Sequence, residues 1–381
     1  MQNNFLKEIT KKIHSERTPL NINQKIYHRH ETVDGGVFCE IWFMTKGCKH
    51  DREGGCTMCN YGKGHEVADD EIISLIKETL DKLPLPLKQL VISPSGSMFD
   101  DEEVSPYLRE EIFRLVSEYN CEKFITESRA DTLTREKLDK MKNIINHSNI
   151  AIELGLESAN PWVLKYCINK NLALTDFKNA VDLIKEAGLQ VTTNISLGSA
   201  FLPEEQAIKD TLSSIKWAFE AGVDTVVVFP IHIKPGTLIN AMYKNNMYEC
   251  ISLWSLIDVL QKAHNQFDQR VEISWYKNYY NDKKKIVLSP TTCSKCRKSI
   301  IDLLDEYKDT CSSEVIQKLV DIKCDCKTQW QEKISNNKVD TLEQTLNYYE
   351  KLAAIFDIDR EIQEEIIRDA RINSYILNNC E

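Results

Sequence analysis

Cys48, Cys56 and Cys59 fall within one short run, Gly47-Cys48-Lys49-His50-Asp51-Arg52-Glu53-Gly54-Gly55-Cys56-Thr57-Met58-Cys59-Asn60-Tyr61-Gly62. Thiolates are soft ligands that select zinc or iron–sulfur clusters. A structural metal site is closed by its protein ligands, whereas a reactive one keeps a position open. A cubane cluster normally takes four cysteines, so three on a glycine-rich loop leave one iron free to bind another molecule. The competing reading is a small zinc knuckle, its fourth ligand missing or supplied by His50. The spacing Cys-x7-Cys-x2-Cys does not decide between them, so the surrounding elements must.

A second set follows in the C-terminal third: Cys293-x2-Cys296 and Cys324-x-Cys326, with Cys311 between. Two close pairs on a long connection suit tetrahedral thiolate zinc. A second iron–sulfur cluster and uncoordinated thiols are the alternatives. Cys39 and Cys121 read more simply as small buried hydrophobes.

The elements that must position these residues alternate between apolar runs and amphipathic segments from about residue 36 to 270. Gly36 to Met44 reads as a strand, and the cysteine loop follows it directly. Further strands are expected at Leu90–Ile92, Lys123–Thr126, Asn149–Leu154, Gln190–Leu197 and Thr225–Pro230. Helical spacing of apolar residues marks 71–83, 104–118, 134–145, 175–187, 203–221 and 253–267. Strands alternating with helices imply a parallel sheet, and six such units imply an α/β fold, a partial (β/α)6 barrel. In such folds chemistry sits where strands end and the next loops begin. The cysteine triad lies there, as do the turns at Ser95-Gly96-Ser97, Glu127 to Arg129, Glu157, and Asn194 to Gly198. The expected organisation is an N-terminal extension (1–30), a barrel core (31–275) and a mainly helical, cysteine-bearing appendage (276–381).

The chain has 381 residues and 42% hydrophobic content, enough for one large core plus an appendage. Thirteen cysteines and no apolar leader point to a reducing, cytoplasmic setting. No apolar run approaches the roughly 18–20 residues of a membrane span. The net charge of −10 disfavours nucleic-acid binding through the molecule as a whole. A local patch runs against that average: Tyr276, Lys277, Tyr279, Tyr280, Lys283, Lys284 and Lys285. Rings beside cations can stack and pair with RNA, although such a run is also an ordinary solvated linker.

The run from Ser95 to Val104 (SGSMFDDEEV), Glu127-Ser128-Arg129, Gly155-Leu156-Glu157-Ser158, Ile168-Asn169-Lys170 and Pro235-Gly236-Thr237 resemble radical S-adenosylmethionine (SAM) enzymes. They are similar to the branch that contains the catalytic subunit of Elongator, and within it to the radical SAM subunit of archaeosine synthase. The resemblance covers roughly residues 30 to 245. It implies a [4Fe–4S] cluster on Cys48, Cys56 and Cys59 whose open iron chelates SAM, and reductive cleavage of SAM. Where relatives carry an aromatic residue before the third cysteine, this chain has Met58, and Tyr61 follows instead.

The resemblance also gives the strand-end residues a role in holding SAM. Small residues at Ser95, Gly96 and Ser97 suit its aminocarboxylate, though an ordinary turn would use them too. Glu127, Arg129 and Glu157 offer carboxylates and a guanidinium to its hydroxyls and charged groups, unless they only bond one another. Asn194, with Ser196 and Gly198, closes the next strand, and Tyr61 stands near the adenine. The implied enzyme is a lyase or transferase acting on a modified tRNA nucleoside, by carbon–nitrogen bond cleavage in a lysine-bearing base, or on a small molecule of biosynthesis. Its partners would be a flavodoxin- or ferredoxin-like reductant and an enzyme that installs the lysine. The alternative of another class is a zinc-binding RNA- or protein-interaction module.

Overall fold

The computed structural model describes residues 4–17, 23–33, 35–146, 149–279, 285–336 and 339–378. Eight strands pair in chain order in one open sheet. They are β1 (Ile26–Val33), β2 (Gly36–Phe43), β3 (Leu87–Pro94), β4 (Lys123–Ser128), β5 (Asn149–Glu157), β6 (Gln190–Leu197), β7 (Thr225–Pro230) and β8 (Arg270–Ile273). β1 is antiparallel to β2, and every later pair is parallel. The six expected strands are β2 to β7. Two more extend the sheet, an antiparallel strand before them and a short parallel one after.

The helices are α1 (Asn4–Ser15), α2 (Lys49–Arg52), α3 (Asp69–Leu80), α4 (Pro106–Tyr119), α5 (Arg135–Ile144), α6 (Pro161–Val163), α7 (Leu174–Glu186), α8 (Glu204–Glu220), α9 (Leu238–Lys244) and α10 (Leu253–Gln266). Then come α11 (Arg297–Thr310), α12 (Ser313–Asp321), α13 (Asp325–Asn336), α14 (Thr341–Phe356) and α15 (Arg360–Ile372). Local chemistry fixes their ends. Ser105 caps α4 by accepting from the Leu108 amide, with Pro106 in the first turn. Thr134 caps α5 in the same way.

Strand alternation divides the molecule into an outside and an inside. On β2, Val37, Cys39, Ile41 and Phe43 are buried in the main core, while Phe38, Glu40 and Trp42 line the inner face. Cys39 and Cys121 are both buried among core residues, as expected of small hydrophobes. The inner face holds a cavity of about 1520 Å³. Val91 and Ile125, with Phe38, form a small apolar cluster inside it.

The C-terminal region packs in two places. Helices α11 and α12 join the main core through Ile300, Leu304, Tyr307 and Leu319. Tyr307 donates to the Val271 carbonyl of β8 at 2.6 Å, and Lys308 pairs with Glu31 of β1 at 3.1 Å. The end of α11 thus ties together the two edge strands of the open sheet. Helices α14 and α15 join α1, α9 and residues 162–168 in a second core that also contains Met58 of the cysteine loop.

Candidate functional site

β2 ends at Phe43 and delivers the chain into the cysteine loop. Cys48 caps the one-turn helix α2, which occupies the long spacer before Cys56. All three cysteines line the cavity. Burial pushes each thiol up, Cys56 well above its ordinary range and Cys59 to about 12. The other thiols of the triad add repulsion at Cys56. Three partly buried thiols held up in this way are poor acids alone, and a bound cation would reverse that. His50 lines the cavity too, with its Nε2 engaged by the Asn169 carbonyl at 2.8 Å. The loop is held from that same segment: the Asn169 amide donates to the Gly54 and Gly55 carbonyls at 2.9 and 2.8 Å, and Thr57 donates to the Cys167 carbonyl at 2.9 Å.

Two orphaned polar atoms border the same cavity. Arg129 donates through Nη2 to Asp100 at 2.9 Å and through Nε to Asp131 at 3.0 Å, yet its buried Nη1 has no partner. Glu157 accepts from Lys170 at Oε1, 3.2 Å away, while its buried Oε2 has none. Glu157 also has φ +70, just past a register shift between β5 and β6. Such a bulge re-aims a side chain, and left-handed backbone at a glutamate costs energy that functional sites tolerate. A free donor and a free acceptor beside three thiols fit an aminocarboxylate, which carries one group for each.

The expected turn residues divide. Ser95 and Gly96 line the cavity. A Cβ on Gly96 would lie 2.2 Å from Glu103 Oε2, so a larger residue there would have to displace the Glu103 carboxylate from the Thr45 hydroxyl and the Ser97 amide. Ser97 is a correction: it is fully buried below the turn, its hydroxyl shared with Ser128 at 3.0 Å and Thr132 at 2.8 Å. Its amide is used as well, donating to Glu103 at 2.9 Å. Ser97 shapes the turn and has no group left for a ligand. Ser196 is likewise buried and bonds the Glu157 carbonyl at 3.0 Å.

Glu127, Glu153 and Asn194 face the interior from β4, β5 and β6. Glu153 accepts from Asn194 at 2.5 Å. Burial raises both carboxyls, and Glu153 and Glu40 add like-charge repulsion at Glu127. Tyr61 also lines the cavity, its hydroxyl taking a bond from Lys234 at 3.1 Å. Lys234 lies between the rings of Tyr61 and Trp275, 4.5 and 5.7 Å from their centroids. Lys234 and Glu153 are cavity-lining residues that motif reading missed, and Lys170 was noted only as part of a motif, without a role. Isolated charged residues in strand ends and loops carry no spacing signal, and only the strand alternation at Glu153 indicated its face.

The tail cysteines meet. Neighbouring sulfurs lie 3.7 Å (Cys293–Cys296), 3.4 Å (Cys293–Cys324), 3.5 Å (Cys296–Cys326) and 3.4 Å (Cys324–Cys326) apart. Among the described residues, this is the group of candidate metal ligands whose donor atoms all lie within 4.8 Å of one another. Trp254 of α10 donates to Cys326 Sγ at 3.3 Å. The described residues of the basic aromatic patch make internal contacts. Tyr276 is buried and bonds Asp305, Lys277 pairs with Asp305 at 2.6 Å, and Arg29 covers the Tyr279 ring at 4.6 Å. Lys285 lies over Tyr27, 5.1 Å from its centroid; Tyr280, Lys283 and Lys284 lie outside the described residues.

A half-barrel with three cysteines after its first parallel strand, opening on a polar cavity, defines a class. Residues 42–208 match the family model of the radical SAM superfamily, so this stretch of the chain carries a radical SAM domain. Members of that superfamily use a [4Fe–4S] cluster and SAM. It is 26% identical over 338 residues to archaeosine synthase subunit beta of Methanosarcina acetivorans, covering 86% of this chain and 94% of that one. The subunit of the same name from Thermococcus kodakarensis is 26% identical over 323 residues, covering 80% and 94%. Among solved structures, Elp3 of Methanocaldococcus infernus with an N-terminal deletion is similar over 62% of this chain and 59% of that one, with a TM-score of 0.45 and 18% identity. No helix among the described residues is long and apolar enough to cross a membrane.

Proposed function

We propose that Cys48, Cys56 and Cys59 hold the [4Fe–4S] cluster and that SAM lies against Ser95, Gly96, Glu127, Arg129, Glu157, Asn194 and Tyr61. When bound, cluster and SAM together supply reductive SAM cleavage and so radical chemistry. The chain's own residues bind and orient. Arg129 Nη1 donates to the carboxylate of SAM, and Glu157 Oε2 accepts from its ammonium, with Lys170 holding the other Glu157 oxygen. The observation that carries this reading is the pair of orphaned atoms beside the thiols, because an unpaired buried polar group is costly unless a ligand completes it.

The substrate reading is carbon–nitrogen bond cleavage on a lysine-bearing nucleoside in tRNA, in company with a partner subunit. It is supported by the two relatives named as archaeosine synthase subunits, which align over most of this chain. The test is to incubate the reconstituted enzyme anaerobically with SAM, a reductant and tRNA carrying the lysine adduct, then to analyse its nucleosides by mass spectrometry. Loss of the adduct with formation of an amidine base is expected. SAM cleavage that leaves the adduct intact would move the reading to a small molecule.

The tail cysteines form a second centre, for which a single zinc ion is the best reading. Bonds of about 2.3 Å from a tetrahedral ion place sulfurs about 3.8 Å apart, close to the 3.4–3.7 Å separations of neighbouring thiols here. A four-iron cluster would need a wider frame. The Cys296 amide draws the Cys293 thiol down to about 6, whereas burial pushes Cys296 up to about 12, so a metal would have to displace protons from this group on binding.

A further inference from the structure

We infer that Arg17 and Asp51 form a clamp that sets the shape of the cysteine loop from outside the barrel, a positioning role for the segment that precedes the sheet. Asp51 lies in the spacer between Cys48 and Cys56, and its side chain is 2% exposed. Arg17 follows α1, and its side chain is 5% exposed. The guanidinium meets the carboxylate in fork geometry, Nη1 to Oδ2 at 2.7 Å and Nη2 to Oδ1 at 3.2 Å. Nη2 also donates to the Cys59 carbonyl at 2.9 Å, and Nε to the Gly236 carbonyl at 2.8 Å. Asp51 additionally accepts from the Gly62 amide, and His14 of α1 stands 3.4 Å from it.

One side chain therefore joins three parts of the site: the spacer before the second cysteine, the third cysteine itself, and the turn after β7 that follows Lys234. The glycines around Asp51 permit this closeness. A Cβ on Gly55 would lie 2.4 Å from the Asp51 Cα, and one on Gly62 2.7 Å from Oδ2. The long Cys-x7-Cys spacing gains a physical reason, because the extra residues build α2 and carry Asp51 inward. Helix α1 is itself anchored, with Phe5 stacked on Tyr349 at 4.6 Å and Thr10 donating to the Gly54 carbonyl. A buried ion pair is an inefficient way to add stability, since desolvation offsets its attraction. Three directed bonds onto the loop and a fourth onto the turn after β7 are an efficient way to fix geometry.

This inference rests on the reading that the loop holds the cluster, and the test separates the two. Hydrogen exchange is measured on the cofactor-free full chain for Arg17→Gln, Arg17→Lys and the parent. Opening of the loop alone predicts that Arg17→Gln accelerates amide exchange in 47–64 by about tenfold or more. Exchange in β5 and β6 should be unchanged, and Arg17→Lys, which keeps the charge but not the fork, should fall between. After anaerobic reconstitution, Arg17→Gln should release loop iron to a chelator several-fold faster. A Cys48→Ala/Cys56→Ala/Cys59→Ala variant defines the iron that the loop does not hold. Parent-like exchange in 47–64, or acceleration spread equally over the barrel, overturns the clamp. Iron equal to the parent's in the triple variant overturns the cluster reading, while the exchange result still stands for or against the clamp.

Discussion

Arg129 and Glu157 share an unusual condition: each satisfies part of its side chain within the protein and leaves one buried atom unpaired. If those atoms meet the charged ends of SAM, Arg129→Ala and Glu157→Gln should each weaken SAM binding at least tenfold, about 1.4 kcal/mol or more. Iron content should not change, and the check is the SAM-induced change in the spectrum of the reduced cluster. Ser97→Ala is the contrast, since its hydroxyl serves only Ser128, Thr132 and the Arg129 amide. That change should lower stability by about 1 kcal/mol and leave SAM affinity near the parent's. Asp210 belongs to the fold. Burial pushes its carboxyl up to about 7, and the Ser158 hydroxyl at 2.8 Å offsets this only in part. A native pKa above the unfolded one means the folded state binds more protons between the two values, so stability falls as pH rises from about 4 to 7. Asp210→Asn should flatten that part of the stability–pH curve, read by chemical denaturation at several pH values.

At the scale of elements, the sequence was most legible where burial is one-sided and continuous. β2 to β7 are apolar runs because a parallel sheet buries one face under helices and half of the other. β1 was hidden because Ile26–Val33 is mostly polar, an antiparallel edge strand with partly exposed residues and charges such as Arg29, which pairs with Glu40. β8 is only four residues long. The structure brings the triad and most of the expected strand-end residues to one cavity and the four tail cysteines to one point, groupings that residue type and position suggested. Ser97 was misjudged because type alone cannot tell a hydroxyl that faces a cavity from one that braces a turn. Lys277 and Tyr279 of the basic patch meet Asp305 and Arg29, partners too distant in sequence to be read from the patch itself. The tail centre carries its own prediction. It joins the start of α11 to the start of α13 beside Trp254 of α10, in a region whose α13 has no buried residue among its twelve. Cys324→Ser should remove about one zinc per chain by metal analysis and expose α11 to α13 to protease. SAM affinity should remain unchanged until that segment unfolds.

The whole molecule places two groups of cysteines on one scaffold. The curved sheet turns an acidic and polar face inward, α11 ties its edges, and both ends of the chain fold back behind the cysteine loop. The loop is thus held by parts of the chain far apart in sequence, while its thiols face the cavity. The net charge of −10 gives no general attraction for RNA. A tRNA substrate would therefore depend on local contacts or on the partner subunit. All of this turns on the triad. The most direct measurement is 5′-deoxyadenosine formation from SAM under anaerobic, reducing conditions, comparing the parent with the variant that replaces Cys48, Cys56 and Cys59 by alanine. The parent should form it and the triple variant should form none while keeping its tail zinc; undiminished SAM cleavage by the triple variant would contradict the account.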